Sequence, residues 1–157
     1  MLVRSLTKMR NKTQVIAICG KNEELKTRLN KLKSGLAQNH ALKVFPVGFT
    51  TEMDEYMSAA DLLLGKPGGL TTSEALAKSL PLIIVNPIRG QEERNSDHLL
   101  EEGAAIRCNN LPVLGYKIDS LLDNPQRLAL MRKNVRRLAR PNAAVDIVKK
   151  LLSLQNI

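Results

Sequence analysis

Short aliphatic runs recur along this chain: QVIAIC (14–19), LKVFPVG (42–48), DLLLG (61–65), PLIIVNP (81–87) and AAIRC (104–108). They are rich in Val, Ile and Leu and do not strictly alternate with polar residues, as expected of strands covered on both faces. Between them lie segments with helical spacing: NEELKTRLNKLKSGLAQN, TEMDEYMSAA, TTSEALAKSL and EERNSDHLLEEG. Strand alternating with helix predicts an α/β fold, a Rossmann-like doubly wound parallel sheet with right-handed crossovers. Pro125 and Pro141 open two further helical segments, at a position where a missing N–H costs nothing.

A chain of 157 residues, 43% of them hydrophobic, suffices for one core and one domain. Aromatic residues make up 3% and Trp is absent, so the core is aliphatic and a base-stacking nucleic-acid platform has little to work with. The formal charge of +9 implies an anionic partner without choosing among phosphate, nucleotide, nucleic acid and acidic membrane. Cys19 and Cys108 each close an apolar run, which suits reduced thiols and leaves them no chemical role. No stretch approaches a membrane span and the start does not read as a signal peptide, so a cytoplasmic protein is expected.

Ligands of open parallel sheets sit beyond the carboxyl ends of the strands. The loops there read CGKN (19–22), GFTTE (48–52), GKPGGLTTSE (65–74) and NPIRGQEERN (86–95). In the third, Gly68 and Gly69 admit close backbone approach, and the following helix offers free N–H groups to a phosphate. Leu70 lies on that turn, Thr71, Thr72 and Ser73 add hydroxyls, and Glu74 can accept from two ribose hydroxyls. A ligand-free reading stays open beside it, with Thr71 to Glu74 as a capping box on an ordinary Gly-Gly turn. In the fourth, Gln91, Glu92 and Asn95 follow Gly90, and an amide beside a carboxylate suits a sugar ring; acids complementing a helix dipole explain the same residues. Phe49 can lie on a planar base whose edge the Thr50 backbone reads, or be a core residue before an N-capping threonine. Gly20 and Asn22 either join this rim or form a plain turn.

Metal and triad chemistry find little support. His40 and His98 stand alone, and no HExxH motif, paired CxxC or Asp-x-Asp occurs. From 127 to 150, Arg127, Arg132, Lys133, Arg136, Arg137, Arg140, Lys149 and Lys150 face the single acid Asp146. Such a run suits a solvated face, or docking on anionic lipid or nucleic acid.

The stretch KPGGLTTSEALAKSLPLIIVNPIRGQEERNSDHLLEEGAA, with CGKNEEL, GFTTEMDEYMSAAD and the Arg140, Pro141, Ala143, Ala144 ending, resembles glycosyltransferase family 28. The likeness runs from about 14 to 150. It is strongest to processive diacylglycerol glucosyltransferases and monogalactosyldiacylglycerol synthases, with the peptidoglycan N-acetylglucosaminyltransferase more distant. It implies the C-terminal, donor-binding half of a GT-B architecture acting on a UDP-sugar, UDP-glucose or UDP-galactose, with no cofactor and no metal. By motif, Phe49 and Thr50 would flank uracil, Gly68 to Thr72 would cradle the diphosphate, and Glu74 would hold ribose. Gln91 and Glu92 would hold the hexose. The reaction implied is inverting hexosyl transfer to diacylglycerol or a glycosyl-diacylglycerol, with the general base in an N-terminal domain. The chain is expected to be one domain without that acceptor half and without the family's first strand. Residues 1–13 would be a remnant of the first helix, 14–124 the sheet and crossovers, and 125–157 the C-terminal helices. Alone it is expected to be inactive, and peripheral attachment to the inner membrane face is expected through the basic helices. Arg89 stands where the family pattern suggests proline. A non-enzymatic nucleotide-binding or regulatory fragment, the N-acetylglucosaminyltransferase of peptidoglycan synthesis and a basic nucleic-acid or membrane adaptor are the alternatives.

Overall fold

The computed structural model describes residues 2–37 and 40–154; the predicted first crossover helix ran on to 39, so its last two residues lie outside the described ones. A 3-10 turn, Leu2–Leu6, leads into strand β1, Thr13–Ile18. Helix α1, Glu23–Ser34, follows, then β2, Leu42–Val47, α2, Met53–Ala59, and β3, Leu63–Gly65. Next come α3, Gly69–Ala77, β4, Leu82–Ile84, α4, Gln91–Glu101, and β5, Ala105–Arg107. The chain ends in α5, Leu114–Leu122, α6, Pro125–Leu138, and α7, Ala143–Leu154. Of the expected 1–13 helix remnant, the described residues hold one short 3-10 helix, Leu2–Leu6, and Thr13 already belongs to β1. Pro125 is indeed a first helical residue, whereas Pro141 precedes its helix by two positions.

Local chemistry starts these helices. The Asn22 side chain accepts from the Leu25 N–H at the head of α1, with Glu23 and Glu24 in the first turn and Lys31 and Lys33 in the last. Asn124 does the same for the Arg127 N–H ahead of α6. Helix α5 was not anticipated. Its head has no capping side chain, yet Leu114, Ile118 and Leu121 at helical spacing are all buried.

All strand pairs are parallel, as expected, but they form two ladders. β1 pairs with β2, Thr13 opposite Leu42, while β4 lies between β3 and β5, with Leu82 opposite both Leu63 and Ala105. β1 and β3 share no ladder. One aliphatic core spans the break: Val15 and Ala17 of β1, Leu42 and Val44 of β2, Leu64 of β3 and Ile83 of β4 pack with Leu29, Val3, Leu6, Leu114 and Ile118. A second core lies on the other face of β3 to β5, where Leu63, Leu82, Ile84 and Ala105 meet Met57, Ala75, Leu99 and Val135. Helices therefore cover both faces of the three-stranded ladder.

A buried carboxylate ties the start of the chain to α5. Asp119, 2% exposed, accepts from the N–H of Arg10 at 2.9 Å and from the N–H and Nδ2 of Asn11 at 3.1 and 2.9 Å. Gly115 permits the close approach, since a Cβ there would stand 3.0 Å from the Ser5 carbonyl.

Candidate functional site

Helix α3 begins at Gly69, two residues before Thr71, with Gly68 as an N-cap that makes no side-chain hydrogen bond. The capping-box reading is therefore corrected: Thr71 is already inside the helix, and exposed Glu74 lies in its second turn. The first backbone bond of the helix runs from Thr72 N–H to Gly68 O at 2.8 Å. The N–H groups of Gly69, Leu70 and Thr71 thus precede it without acceptors among the described residues, aligned with the positive end of the helix dipole. The Thr72 hydroxyl is buried and unpartnered. The Ser73 hydroxyl donates back to Gly69 O at 3.0 Å, so its proton is already engaged.

Helix α4 repeats the arrangement. Its N-cap, Gly90, has φ 102° and ψ −119°, a conformation glycine tolerates, and again supplies no capping side chain. Arg94 N–H is the first to bond back, to Gly90 O at 3.1 Å, leaving those of Gln91, Glu92 and Glu93. The two helix starts are joined. Asn95 Nδ2 donates to Pro67 O at 2.9 Å, and a Cβ built on Gly69 would meet Gln91 Nε2 at 3.3 Å. Asn95 thus holds the turn ahead of α3, and one oxygen of Glu92 accepts from Ile88 N–H at 2.7 Å. Gln91 and Glu74 are exposed.

The other two loops also meet. Gly48 lies against Gly20, whose carbonyl would be 3.8 Å from a Cβ on Gly48, and Lys21 Nζ stands 5.7 Å from the Phe49 ring centroid. Phe49 is 66% exposed, which rules out the core reading of that residue. The Thr50 hydroxyl accepts from Glu52 N–H at 3.0 Å, so Thr50 braces a turn and is not the N-cap of α2. Asn22 is occupied as the cap of α1, and Gly20 has φ 56°.

Residues expected at the site therefore come together as two pairs of loops, Gly20, Asn22, Phe49 and Thr50 in one, Gly68 to Glu74 with Gln91, Glu92 and Asn95 in the other. Sequence reasoning passed over Ile88 and Lys21. Ile88 is 57% exposed, and with Phe49 and Leu70, 82% exposed, it puts apolar surface on these loops. An aliphatic residue between Pro87 and Gly90, where a turn leaves little to bury it, was the available signal. Among the described residues no group of three or more His, Cys, Asp or Glu side chains is placed to hold a metal ion. Burial pushes the Cys19 thiol above its ordinary pKa despite nearby Lys26, and Glu23 adds to the rise, consistent with an inert protonated thiol. A depression of about 550 Å³ lined by Arg4, Arg28, Lys31, Leu32 and Gly35 lies at the other end of α1, away from these loops.

A parallel α/β domain with two uncapped helix starts abutting beyond its strand ends is, as a class, a Rossmann-like fold. The model of the glycosyltransferase family 28 C-terminal domain matches residues 2–151, and the chain belongs to that family. Processive diacylglycerol beta-glucosyltransferase of Bacillus mycoides (strain KBAB4) is 35% identical over 140 residues, covering 89% of this chain and 35% of that protein. The Bacillus subtilis (strain 168) protein of the same name is 34% identical over 142 residues, 90% and 36% of the two chains. This chain thus spans about a third of the length of these relatives. Among solved structures it is similar to Acinetobacter baumannii MurG, with a TM-score of 0.76 at 22% identity over 95% of this chain and 44% of that one. The glycosyltransferase VinC in complex with dTDP gives 0.63 at 16% identity, over 95% and 36%. At these identities the structural likeness concerns the fold, the Rossmann-like half of a GT-B glycosyltransferase.

Proposed function

We propose that this chain is the donor-binding part of an inverting hexosyltransferase that carries a hexose from a UDP-sugar to diacylglycerol or a glycosyl-diacylglycerol. The observation that carries the reading is the abutment of the α3 and α4 starts, where backbone N–H groups of Gly69 to Thr71 and Gln91 to Glu93 have no acceptor among the described residues. Two dipole ends at one place suit a diphosphate, whose two phosphoryl groups can each face one helix start. Glycosyl transfer from a UDP-sugar releases a diphosphate, and N–H groups fixed before the reaction stabilise that developing charge without reorganising.

Around this centre, the unpartnered Thr72 hydroxyl gives one further donor, and exposed Glu74 accepts from the ribose. Gln91 and the oxygen of Glu92 not engaged with Ile88 read hexose hydroxyls. In this reading both loop pairs serve one ligand: Phe49 covers the uracil face and Thr50, its hydroxyl already engaged, offers backbone groups to the base edge. The acceptor hydroxyl and the general base come from a lipid-facing domain, so this part alone binds donor without transferring sugar.

Calorimetry with UDP tests the reading. We expect binding to the folded chain, weakened at least about tenfold by Glu74→Ala, since a hydrogen bond to a charged group is worth roughly 1.5 to 3 kcal/mol. A folded chain that takes up no UDP sinks the proposal. Attachment to membrane is a further part of it. No described helix is long and apolar enough to cross a bilayer. Helix α7, however, has no buried residue and exposes Val145, Ile147, Val148 and Leu151, with Lys149 and Lys150 beside them. Co-sedimentation with phosphatidylglycerol vesicles, lost on Leu151→Asp, is expected; unchanged sedimentation of that variant would remove α7 from the account.

A further inference from the structure

The turn that leads into α4 is pinned at several points and carries a cation without a protein partner. Asn86 stands at φ 42°, a conformation strained for a residue with a Cβ, and its N–H donates to Asn109 Oδ1 at 3.1 Å. Ile88 N–H donates to Glu92 Oε2 at 2.7 Å, and Gly90 O accepts from Arg94 N–H at 3.1 Å. Arg89 therefore sits at the tip of a turn whose backbone is fixed on both sides. It is exposed and makes no hydrogen bond or ion pair among the described residues.

That charge stands where a helix disfavours it. Acids suit the head of a helix and bases its tail, as in α1 with Glu23 and Glu24, then Lys31 and Lys33. Arg89 directly precedes the N-cap of α4, at the positive end of the dipole. The acids nearest along the chain do not offset it: one oxygen of Glu92 accepts from Ile88 N–H, and Glu93 lies 3.8 Å from Arg107 Nη2. Two residues beyond Arg89, Gln91 Nε2 lies against Gly69 at the head of α3, so the guanidinium is tethered at the seam of two positive helix ends. The head of α3 also holds the buried, unpartnered Thr72 hydroxyl. An anion seated at this seam turns the accumulation of like charge into attraction.

We infer that Arg89 is a specificity residue of the donor site, its guanidinium paired with the terminal phosphoryl group of a nucleoside diphosphate. The inference rests on the proposed UDP-sugar site and adds to it a side chain that tells a diphosphate from a monophosphate. In the transfer, the bond from the anomeric carbon to the β-phosphate oxygen breaks and that carbon bonds to the acceptor oxygen. The acceptor's proton passes to the base, and UDP leaves with the electron pair and one more negative charge. A cation already fixed at the seam stabilises that charge as it forms. Arginine suits the task because its planar fork meets two phosphoryl oxygens at once. An acidic hexose is the poorer partner, since Glu92 already puts negative charge among the groups that read the sugar.

Calorimetry on the full chain with UDP and with UMP tests the inference in the wild type, Arg89→Met and Arg89→Lys. Arg89→Met should weaken UDP binding at least about tenfold and UMP binding less than about twofold. Arg89→Lys should recover part of the loss, because a point charge remains while the fork is gone. Phosphorus NMR of bound UDP should show the β resonance moved by Arg89→Met and the α resonance nearly in place. Three results would overturn the inference: UDP affinity unchanged in Arg89→Met, equal losses of UDP and UMP, which assign the residue to the shape of the turn, or a loss confined to UDP-glucuronate, which assigns it to the sugar. A folded wild type that takes up no UDP removes the donor site itself, whereas normal UDP binding by Arg89→Met removes only the part given to Arg89.

Discussion

Two strands of this molecule have similar aliphatic sequences and opposite circumstances. In β4 the residues Leu82, Ile83 and Ile84 are 2%, 1% and 0% exposed, with a strand on each side and helices on each face. In β1, TQVIAI, no residue is fully buried, one edge is unpaired among the described residues, and Ile16 is 42% exposed. The difference teaches that an aliphatic run announces a strand but not the strand's surroundings. Those depend on which neighbours the topology delivers. The candidate site's two joined helix starts follow β3 and β4, in the ladder that helices cover on both faces, and a site needs such rigid support.

The comparison can be broken by substitution. Ile84→Ala should cost the most, about 3 to 4 kcal/mol for a wholly buried isoleucine, read as a shift of the urea midpoint. Comparable losses at Ile16→Ala would erase the distinction. Next comes Asp119→Ala, which strands the N–H groups of Arg10 and Asn11 and should cost roughly 2 to 3 kcal/mol. Burial raises the Asp119 pKa, but the Arg10 and Asn11 hydrogen bonds and the Arg10 charge outweigh it and hold it below its ordinary 3.8. The native pKa lies below the unfolded one, so this stabilisation is whole above about pH 4 and is lost as pH falls through the native value. Acid titrations of the wild type and the alanine variant should therefore converge at low pH. Lines that stay parallel would place the effect in packing alone.

Gly90→Ala comes third, at about 1 to 2 kcal/mol, because φ 102° strains any residue with a Cβ. It should also weaken UDP binding by moving the α4 N–H groups, which sharpens the link between rigidity and site. A variant that is destabilised yet binds normally would cut that link. Smallest is Ile16→Ala, under about 0.5 kcal/mol in the free chain.

Periodicity made the α/β class and all five strands legible, and the post-strand loops could be located by rule. The character of those loops was legible only in part. GGLTTSE was equally consistent with a capping box, which the helix start at Gly69 removes, leaving the first N–H groups open. Asn22 and Thr50 look like ligand-binding residues in a string of letters, yet each has a local backbone partner, while Asn95 bonds to the Pro67 carbonyl 28 residues away. Such residues make caps and turns as readily as they bind ligands. Asp119 was invisible because its partners lie 108 and 109 residues away.

Local patterning by itself determined the order of strands and helices, the aliphatic core and the excess of positive charge, since these follow from composition and from periods of two and 3.6 residues. Long-range packing alone decided that the α3 and α4 starts abut through Asn95, Pro67, Gly69 and Gln91, that Asp119 clamps the beginning of the chain, and that five parallel strands divide into two ladders. The physical reason is reach. A side chain's propensity acts over a few residues, whereas hydrogen-bond partners and sheet neighbours are chosen by where the whole backbone comes to rest.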